Sequence, residues 1–218
     1  MANFNPSYIG QRDDILKLIP GSAKKVLDVG CSIGVLGQQI KHKNSAEVVG
    51  IEVNAQMAKI AEKKLDKVII GNIQKIDLED LLSPDYFDCI ILADILEHLK
   101  DPWSVVKKCE RFLNQNGVII ASIPNTRHYN TIINLVFKGY WPYRERGIHD
   151  KTHLRFFTLK NIKEMFQDAG LKIVKVERNY RFIEDEQHRY DKFAKYLGLF
   201  LVKDFITFQF LIVAEKKK

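Results

Sequence analysis

The stretch from Val26 to Gly37, VLDVGCSIGVLG, constrains this chain more than any other, because an acid-ending strand succeeds it at a set distance. Val26, Leu27, Asp28 and Val29 read as a short buried strand. Gly30 and Gly34 then turn the chain into a segment of helical periodicity. A second strand, VVGIE, ends on Glu52, about 20 residues beyond Gly30. Strand, glycine turn, helix and acid-ending strand make a βαβ unit suited to a nucleoside. The glycines let the backbone approach the ligand, and the acid accepts from both ribose hydroxyls. The competing role for Glu52 is to cap a following helix. The unit predicts an adenosine-containing cofactor.

Three features narrow which one. The turn reads DxGCSxGxxG and not GxGxxG, so it offers fewer close approaches to a pyrophosphate. Asp28 sits inside the strand end, where it repels a diphosphate and suits a cation or an amine. A later strand ends in ADILEHLKDPW, with no second nucleotide-binding half after it.

A chain of 218 residues that is 46% hydrophobic can bury a full core, which suits one domain over 1–218 with an elaboration at 125–157. Three cysteines, Cys31, Cys89 and Cys109, show neither pairing nor metal-ligand spacing, so no disulfide and no zinc site is expected. That cysteine usage makes a reducing cytoplasm the default location; the N-terminus lacks the apolar core of a signal peptide, and no apolar run is long enough to span a bilayer. A net charge of +7 permits anionic partners without naming one, and a solvated basic surface accounts for it equally.

Strands and helices alternate through the first half. A short amphipathic helix over 5–19 is stopped by Pro20-Gly21. Strands come next at Val26–Val29, Val48–Glu52, Val68–Ile70, Phe87–Ala93 and Gly117–Ile123. Helices are expected at Gly34–Lys41, at Ala55–Leu65 behind an Asn54 cap, and from Pro102 to about Leu113, with a short helical turn around Leu78–Leu82. Near-continuous apolar strands between helices imply a doubly wound α/β fold with a mostly parallel sheet. The pattern breaks after Pro124, where a helical stretch (Tyr129–Phe137) precedes GYWPYRERGIHDKTHLRFF. A helix capped by Thr158 then resumes the scaffold. Leu171–Glu177 and Phe205–Ala214 bring the sheet to seven strands, with a helix at about 185–197 between them.

Taken together, VLDVGCSIG, VVGIEVN, GNIQ, FDCIILADILEHLKDPW and GVIIASIPN resemble the class I S-adenosylmethionine-dependent methyltransferases, over essentially the whole chain. The resemblance implies a Rossmann-like methyltransferase fold with a cap inserted after the fifth strand, and S-adenosylmethionine as cofactor. It implies that Gly30 and Gly34 frame the turn under the methionine moiety, with Cys31 contributing backbone and Asp28 orienting the amino acid end. Glu52 would hold the ribose diol, and Val53 would pack on the adenine. Asn72 and Ile73 would edge the ring, and the backbone of Ala93 and Asp94 would meet the amino group. Tyr8 and Arg12 lie where some relatives reach the cofactor carboxylate. Ser32-Ile33 stands where a glycine is common, stiffening the turn. Asn72 stands where an aspartate is common, and a role as a turn residue competes with its adenine role.

A sulfonium methyl is already electrophilic, so the protein must place a nucleophile in line and exclude water. For an oxygen acceptor a general base helps, and histidine has a suitable pKa. His149 is the first choice and His153 the second, with Asp150 between them in HDKTH; knitting the insertion together is the competing role. Their spacing also suits a metal if a helix runs through GIHDKTH, which Gly147 argues against. His98, in LEHL, falls on a helical turn where packing competes with catalysis. Tyr140, Trp141, Tyr143, Phe156 and Phe157, with Arg144, Arg146 and Arg155, are the expected walls for a small-molecule acceptor of saccharide or natural-product type. A nucleic-acid amine acceptor fits poorly, because ADIL occupies the place of an N/D-P-P-Y/F motif. A nicotinamide oxidoreductase and a non-catalytic cofactor-binding adaptor are the remaining rivals to a methyltransferase, and oligomeric state cannot be read from the sequence.

Overall fold

The computed structural model describes residues 10–181 and 203–217. Tyr8, the start of the expected first helix and the expected helix at 185–197 lie outside the described residues. The apolar runs form parallel strands at Lys25–Val29 (β1), Glu47–Glu52 (β2), Lys67–Ile70 (β3), Phe87–Ala93 (β4) and Leu113–Pro124 (β5). Leu171–Tyr180 (β6) and Thr207–Lys216 (β7) complete a seven-stranded sheet in the order β3-β2-β1-β4-β5-β7-β6. β7 runs antiparallel to both β5 and β6, so one strand is reversed in an otherwise parallel sheet. The expected α/β class and Rossmann-like layout hold.

Alternation along the strands sends side chains to two covered faces. On one face Val26, Val48, Ile91 and Ile120 pack beneath Ile15 of α1 (Asp13–Leu16) and Leu36 and Ile40 of α2 (Val35–Asn44). α3 (Ala55–Ala61) leads from β2 toward β3. On the other face Leu27, Ile90, Ile119 and Ile212 meet Val105, Cys109 and Phe112 of α4 (Pro102–Phe112). Burying each such side chain contributes about 1.5–3 kcal/mol before the entropy of ordering is counted. Asn54 accepts from the N–H of Gln56 and Met57 at 3.0 and 3.1 Å, and Asp101 accepts from Ser104 at 3.1 Å, so the anticipated caps of α3 and α4 form.

Several boundaries differ from the sequence reading. Among the described residues of the first helix only Asp13–Leu16 is helical, although Ile15 and Ile19 are buried as their spacing requires. β5 starts at Leu113, because Leu113 pairs with Phe87 before a bulge restores the register at Val118 and Cys89. After β5, α5 (Tyr129–Ile132) passes into a π-helical stretch, Ile133–Phe137. There the Asn134 side chain donates to the Asn130 carbonyl at 2.7 Å, competing with the α-helical bond at that step. α6 (Leu159–Asp168) opens on Thr158 and Asn161, which cap each other's backbone, and α7 (Lys203–Ile206) precedes β7.

The order of the strands positions the site. From β1 the chain moves outward to β2 and β3, then crosses back to β4 on the other side of β1. Connections therefore diverge above β1 and β4, which opens a crevice outside the carboxyl ends of these strands.

Candidate active site

The glycine turn is built on left-handed backbone: φ is +77° at Gly30, 51° at Ser32 and +74° at Gly34. Gly30 and Cys31 both donate their N–H to the Ile51 carbonyl, at 2.8 and 3.1 Å, which hooks the turn onto β2. At Gly34 an added Cβ would stand 3.2 Å from the backbone of Ala61, so this glycine is needed for packing as well as for its torsion. Glu52, at the end of β2, is buried, and its two carboxylate oxygens accept from Ser32 N–H at 2.9 Å and Asn54 N–H at 2.8 Å. Its position is thus set by backbone, and each oxygen keeps a lone pair for a diol. Val53, next in the chain, exposes two thirds of its surface.

Asn72 turns its side-chain oxygen onto the Gln74 N–H at 2.9 Å, so it serves as a turn residue in this arrangement. Ile73 points into the core, and its carbonyl accepts from Lys108 at 3.1 Å, which leaves only backbone to edge a ring. Asp28 is buried on the side of the sheet that carries Val26. Burial first, and then the negative charge of Glu52, push its carboxyl up to about 7, against the opposing charge of Arg12. An ammonium group arriving here would find a carboxyl that gains from ionising. The glycine cradle and this acid fit the methionine end of an adenosyl cofactor.

Arg12 is placed differently from its expected reach toward a ligand carboxylate. Its guanidinium pairs with Asp94, binds both Asp14 oxygens at 3.0 and 3.1 Å, and donates to Ser122 at 3.1 Å. Burial alone would raise Asp14, but the bonds and charge of Arg12 hold it below its usual value. Asp94 also accepts from Gln209 and from the Ser122 hydroxyl, while its own N–H is given to Ser122. Of the backbone groups at this step, the carbonyls of Ala93 and Asp94 are therefore the ones able to serve a cofactor amino group, since an ammonium donates.

Beside this network lies a cavity of 870 Å³, between the segment from Gly10 to Lys17, the end of β4, the insertion, and the ends of β6 and β7. Its walls are charged. Arg12, Lys17, Arg144, Arg146 and Arg181 face Asp94, Glu97, Asp150 and Glu177. The expected aromatic walls do not line it. Tyr140 and Tyr143 lie exposed, Trp141 packs on His149 and Phe156, and Phe157 enters the core. Arg155 leaves the cavity as well, lying over the Trp103 ring and donating to the Lys100 carbonyl.

The two candidate bases part company. His149 has no exposed surface; its Nε2 lies 3.0 Å from the Thr131 hydroxyl and its ring meets Trp141 edge-on at 4.9 Å. It does not face the cavity, so its first place as a base passes to residues that do. His153 does face it, with His98 4.7 Å away ring to ring and Glu97 4.0 Å from its Nε2. Burial first, then the neighbouring His98, drop His153 to about 4, so it is neutral at pH 7 and a weak base. Burial, with Asp94 adding to it, pushes Glu97 well above its usual range. Glu97, Asp14, Ser122, Gln209 and Asn179 were missed by sequence reading. Only Glu97 carried a signal, as an acid set between Leu96 and Leu99.

A reversed strand in a parallel sheet, a glycine turn under a buried acid, and a carboxylate fixed at the end of β2 define a class I methyltransferase. The profile of a family described as a methyltransferase domain matches residues 7–176. The ubiquinone biosynthesis O-methyltransferase of Nitrosomonas europaea is 30% identical over 173 residues, covering 77% of this chain and 71% of that protein. Its counterpart in Pseudomonas syringae pv. tomato is 29% identical, covering 78% and 73%. In structure, a SAM-dependent methyltransferase from Archaeoglobus fulgidus shares the fold with a TM-score of 0.68 at 21% identity, over 96% of both chains. One from Mesorhizobium loti gives 0.64 at 13% identity, over 94% of this chain and 96% of the other. The chain belongs to this methyltransferase family, and S-adenosylmethionine is its cofactor. Among the described residues no helix is long and apolar enough to cross a membrane.

Proposed function

We propose that this enzyme transfers the methyl group of S-adenosylmethionine to a hydroxyl of a small polar acceptor of saccharide type, with residues 125–157 as the cap that receives it. The observation that carries the reading is the charged cavity at the end of β4. A hydroxyl-rich ring presents donors and acceptors on every side and can satisfy such walls. An apolar ring would take these charged walls out of water and offer them no polar contact in exchange. Oxygen as the accepting atom is supported by the relatives named as O-methyltransferases.

When bound, the cofactor supplies an electrophilic sulfonium methyl. Asp28, Gly30, Cys31 and Gly34 hold its methionine end in this reading, with the carbonyls of Ala93 and Asp94 at the amino group. Glu52 takes the ribose diol, and Val53 with the backbone of Asn72 and Ile73 edges the adenine. Tyr8 and Arg12 are the candidates for the cofactor carboxylate in this reading, Arg12 only by exchanging part of its bonding to Asp94 and Asp14. His153, with Glu97 and His98, receives the acceptor hydroxyl, while His149 braces the cap. Placing that oxygen in line and excluding water supplies the rest of the rate.

Incubation of the purified enzyme with S-adenosylmethionine and a panel of methyl glycosides, sugar phosphates, catechols and amines tests this, with S-adenosylhomocysteine read by mass spectrometry. Turnover on the hydroxylated sugars is expected. Turnover on catechols alone would move the acceptor to an aromatic class, and turnover on amines alone would sink the oxygen reading.

A further inference from the structure

We propose that Arg146 binds an oxyanion carried by the methyl acceptor, so that the acceptor is an acidic sugar, phosphorylated or carboxylated, and not a neutral one. Arg146 belongs to a loop of the insertion and lines the same cavity as Glu97, His98 and His153.

Backbone bonds close that loop. Arg144 donates its N–H to the His149 carbonyl at 2.9 Å, and its own carbonyl accepts from the Lys151 N–H at 2.9 Å. Between these bonds Gly147 turns the chain at φ 83°, and its carbonyl accepts from the Asp150 N–H at 3.2 Å. His149, wholly buried against Thr131 and Trp141, pins the base of the loop. Arg146 is thus presented by backbone whose position is set before a ligand arrives, which lowers the entropy cost of binding.

The pairing of charges around the cavity leaves this arginine over. Arg12 takes Asp14 and Asp94. Glu145 pairs with Lys151 and Glu177 with Lys175, each at 2.6 Å. Asp150 accepts from the N–H and the hydroxyl of Thr152, at 2.8 and 2.6 Å. Asp13 and Lys17, both exposed, lie four residues apart along α1 and offset each other. Burial pushes Glu97 toward its neutral form. Arg146 is half-buried, and it has neither an ion-pair nor a hydrogen-bond partner among the described residues. A guanidinium so placed gains most from a group that accepts two of its N–H bonds at once and carries negative charge, as a carboxylate or a phosphate does. A sugar hydroxyl brings no charge to meet it.

The inference rests on the hydroxyl-acceptor reading above, so its first measurement is binding and needs no turnover. The full chain, saturated with S-adenosylhomocysteine, is titrated by calorimetry at low ionic strength with glucose, galactose and mannose, and with their 6-phosphates and uronates. At least one charged sugar should bind about 10- to 100-fold tighter than its neutral parent, and whether it is a phosphate or a uronate identifies the oxyanion. Arg146→Ala should erase that preference. Arg146→Lys should keep part of it, because the charge stays and the planar fork is lost. Arg155→Ala should keep it in full, since Arg155 lies over Trp103 outside the cavity. S-adenosylhomocysteine affinity should stay within about a factor of two in all three variants, showing that they fold. A loss of that affinity confined to the Arg146 variants would assign Arg146 to the cofactor carboxylate and overturn the proposal. So would a charged sugar binding no tighter than its neutral parent in every pair, or a preference that survives Arg146→Ala. Methyl transfer to neutral and charged sugars alike would sink this inference and leave the hydroxyl reading standing. Transfer to amines alone, with the anion preference intact, would sink the hydroxyl reading and leave Arg146 as the oxyanion site.

Discussion

The Glu52 carboxylate accepts the Ser32 N–H at 2.9 Å, so the last residue of β2 holds the turn at the end of β1. Ser32 sits at φ 51°, a torsion that costs a non-glycine residue about 1 kcal/mol, and this bond helps to keep it there. Glu52→Ala should therefore act twice. It removes the proposed diol acceptor and leaves the Ser32 and Asn54 amides without the carboxylate they donate to. Calorimetry should show S-adenosylhomocysteine binding weakened by about 10- to 100-fold, and melting should show about 1–3 kcal/mol of lost stability. Unchanged affinity with lowered stability would reduce Glu52 to a brace for the turn.

Asp28 makes the ligand-free protein pH-sensitive. Its carboxyl, ordinarily at 3.8, is raised to about 7 by burial and by Glu52. A folded-state value above the unfolded one stabilises the fold fully below about pH 4, and that stability is lost as pH rises through 7. Between pH 6 and 8 the loss from this one group is on the order of 1–2 kcal/mol. Melting temperature should fall over that range in wild type, and the Asp28→Asn variant should show a shallower slope with a higher value at pH 8. Cofactor affinity should run the other way in wild type, rising with pH as the ammonium finds an ionised partner. Parallel melting curves for wild type and Asp28→Asn would show that Asp28 does not titrate in this window.

The glycine turn and the acid-ending strand were legible because their signals are local. Strands buried on both faces read as unbroken apolar runs, and Gly30, Gly34 and Glu52 lie within one βαβ unit. The charged cavity was not, because its wall is assembled from distant segments: Arg12 before β1, Asn179 near the end of β6 and Gln209 near the start of β7. Nor does a run of aromatics say which way each ring will turn. In HLRFF, Phe156 faces outward and Phe157 enters the core, as alternation in an extended segment requires. Glu97 was passed over in the sequence, and only the return of the insertion across it shows that it is buried.

Gly50, in the middle of β2, is required by the turn above it. An added Cβ would stand 2.5 Å from Cys31 Sγ and 2.7 Å from Leu65 Cδ1. Gly50→Ala should cost about 1–3 kcal/mol by overpacking, and it should weaken cofactor binding by displacing Cys31. Adding Cys31→Ala should restore part of both losses, with a coupling of at least about 0.5 kcal/mol in denaturant melts. Strict additivity would mean that the strain is relieved through Leu65 instead.

His149 separates a brace from a base. It is wholly buried, bonded to Thr131 at 3.0 Å and packed against Trp141, and these contacts join α5 to the far side of the insertion. Truncation leaves a cavity and strands the Thr131 hydroxyl, so His149→Ala should lower stability by about 2–4 kcal/mol. Because the insertion lines the cavity proposed to take the acceptor, KM for the acceptor should rise, while S-adenosylhomocysteine affinity stays near wild type. A base gives the opposite pattern: kcat collapses, the melting temperature holds, and the loss shrinks at high pH, where hydroxide can take the proton instead. Steady-state kinetics from pH 6 to 9 on the variant, alongside its melting curve, distinguishes the two. A collapse of kcat at unchanged stability would return His149 to the reaction and require the insertion to open during turnover.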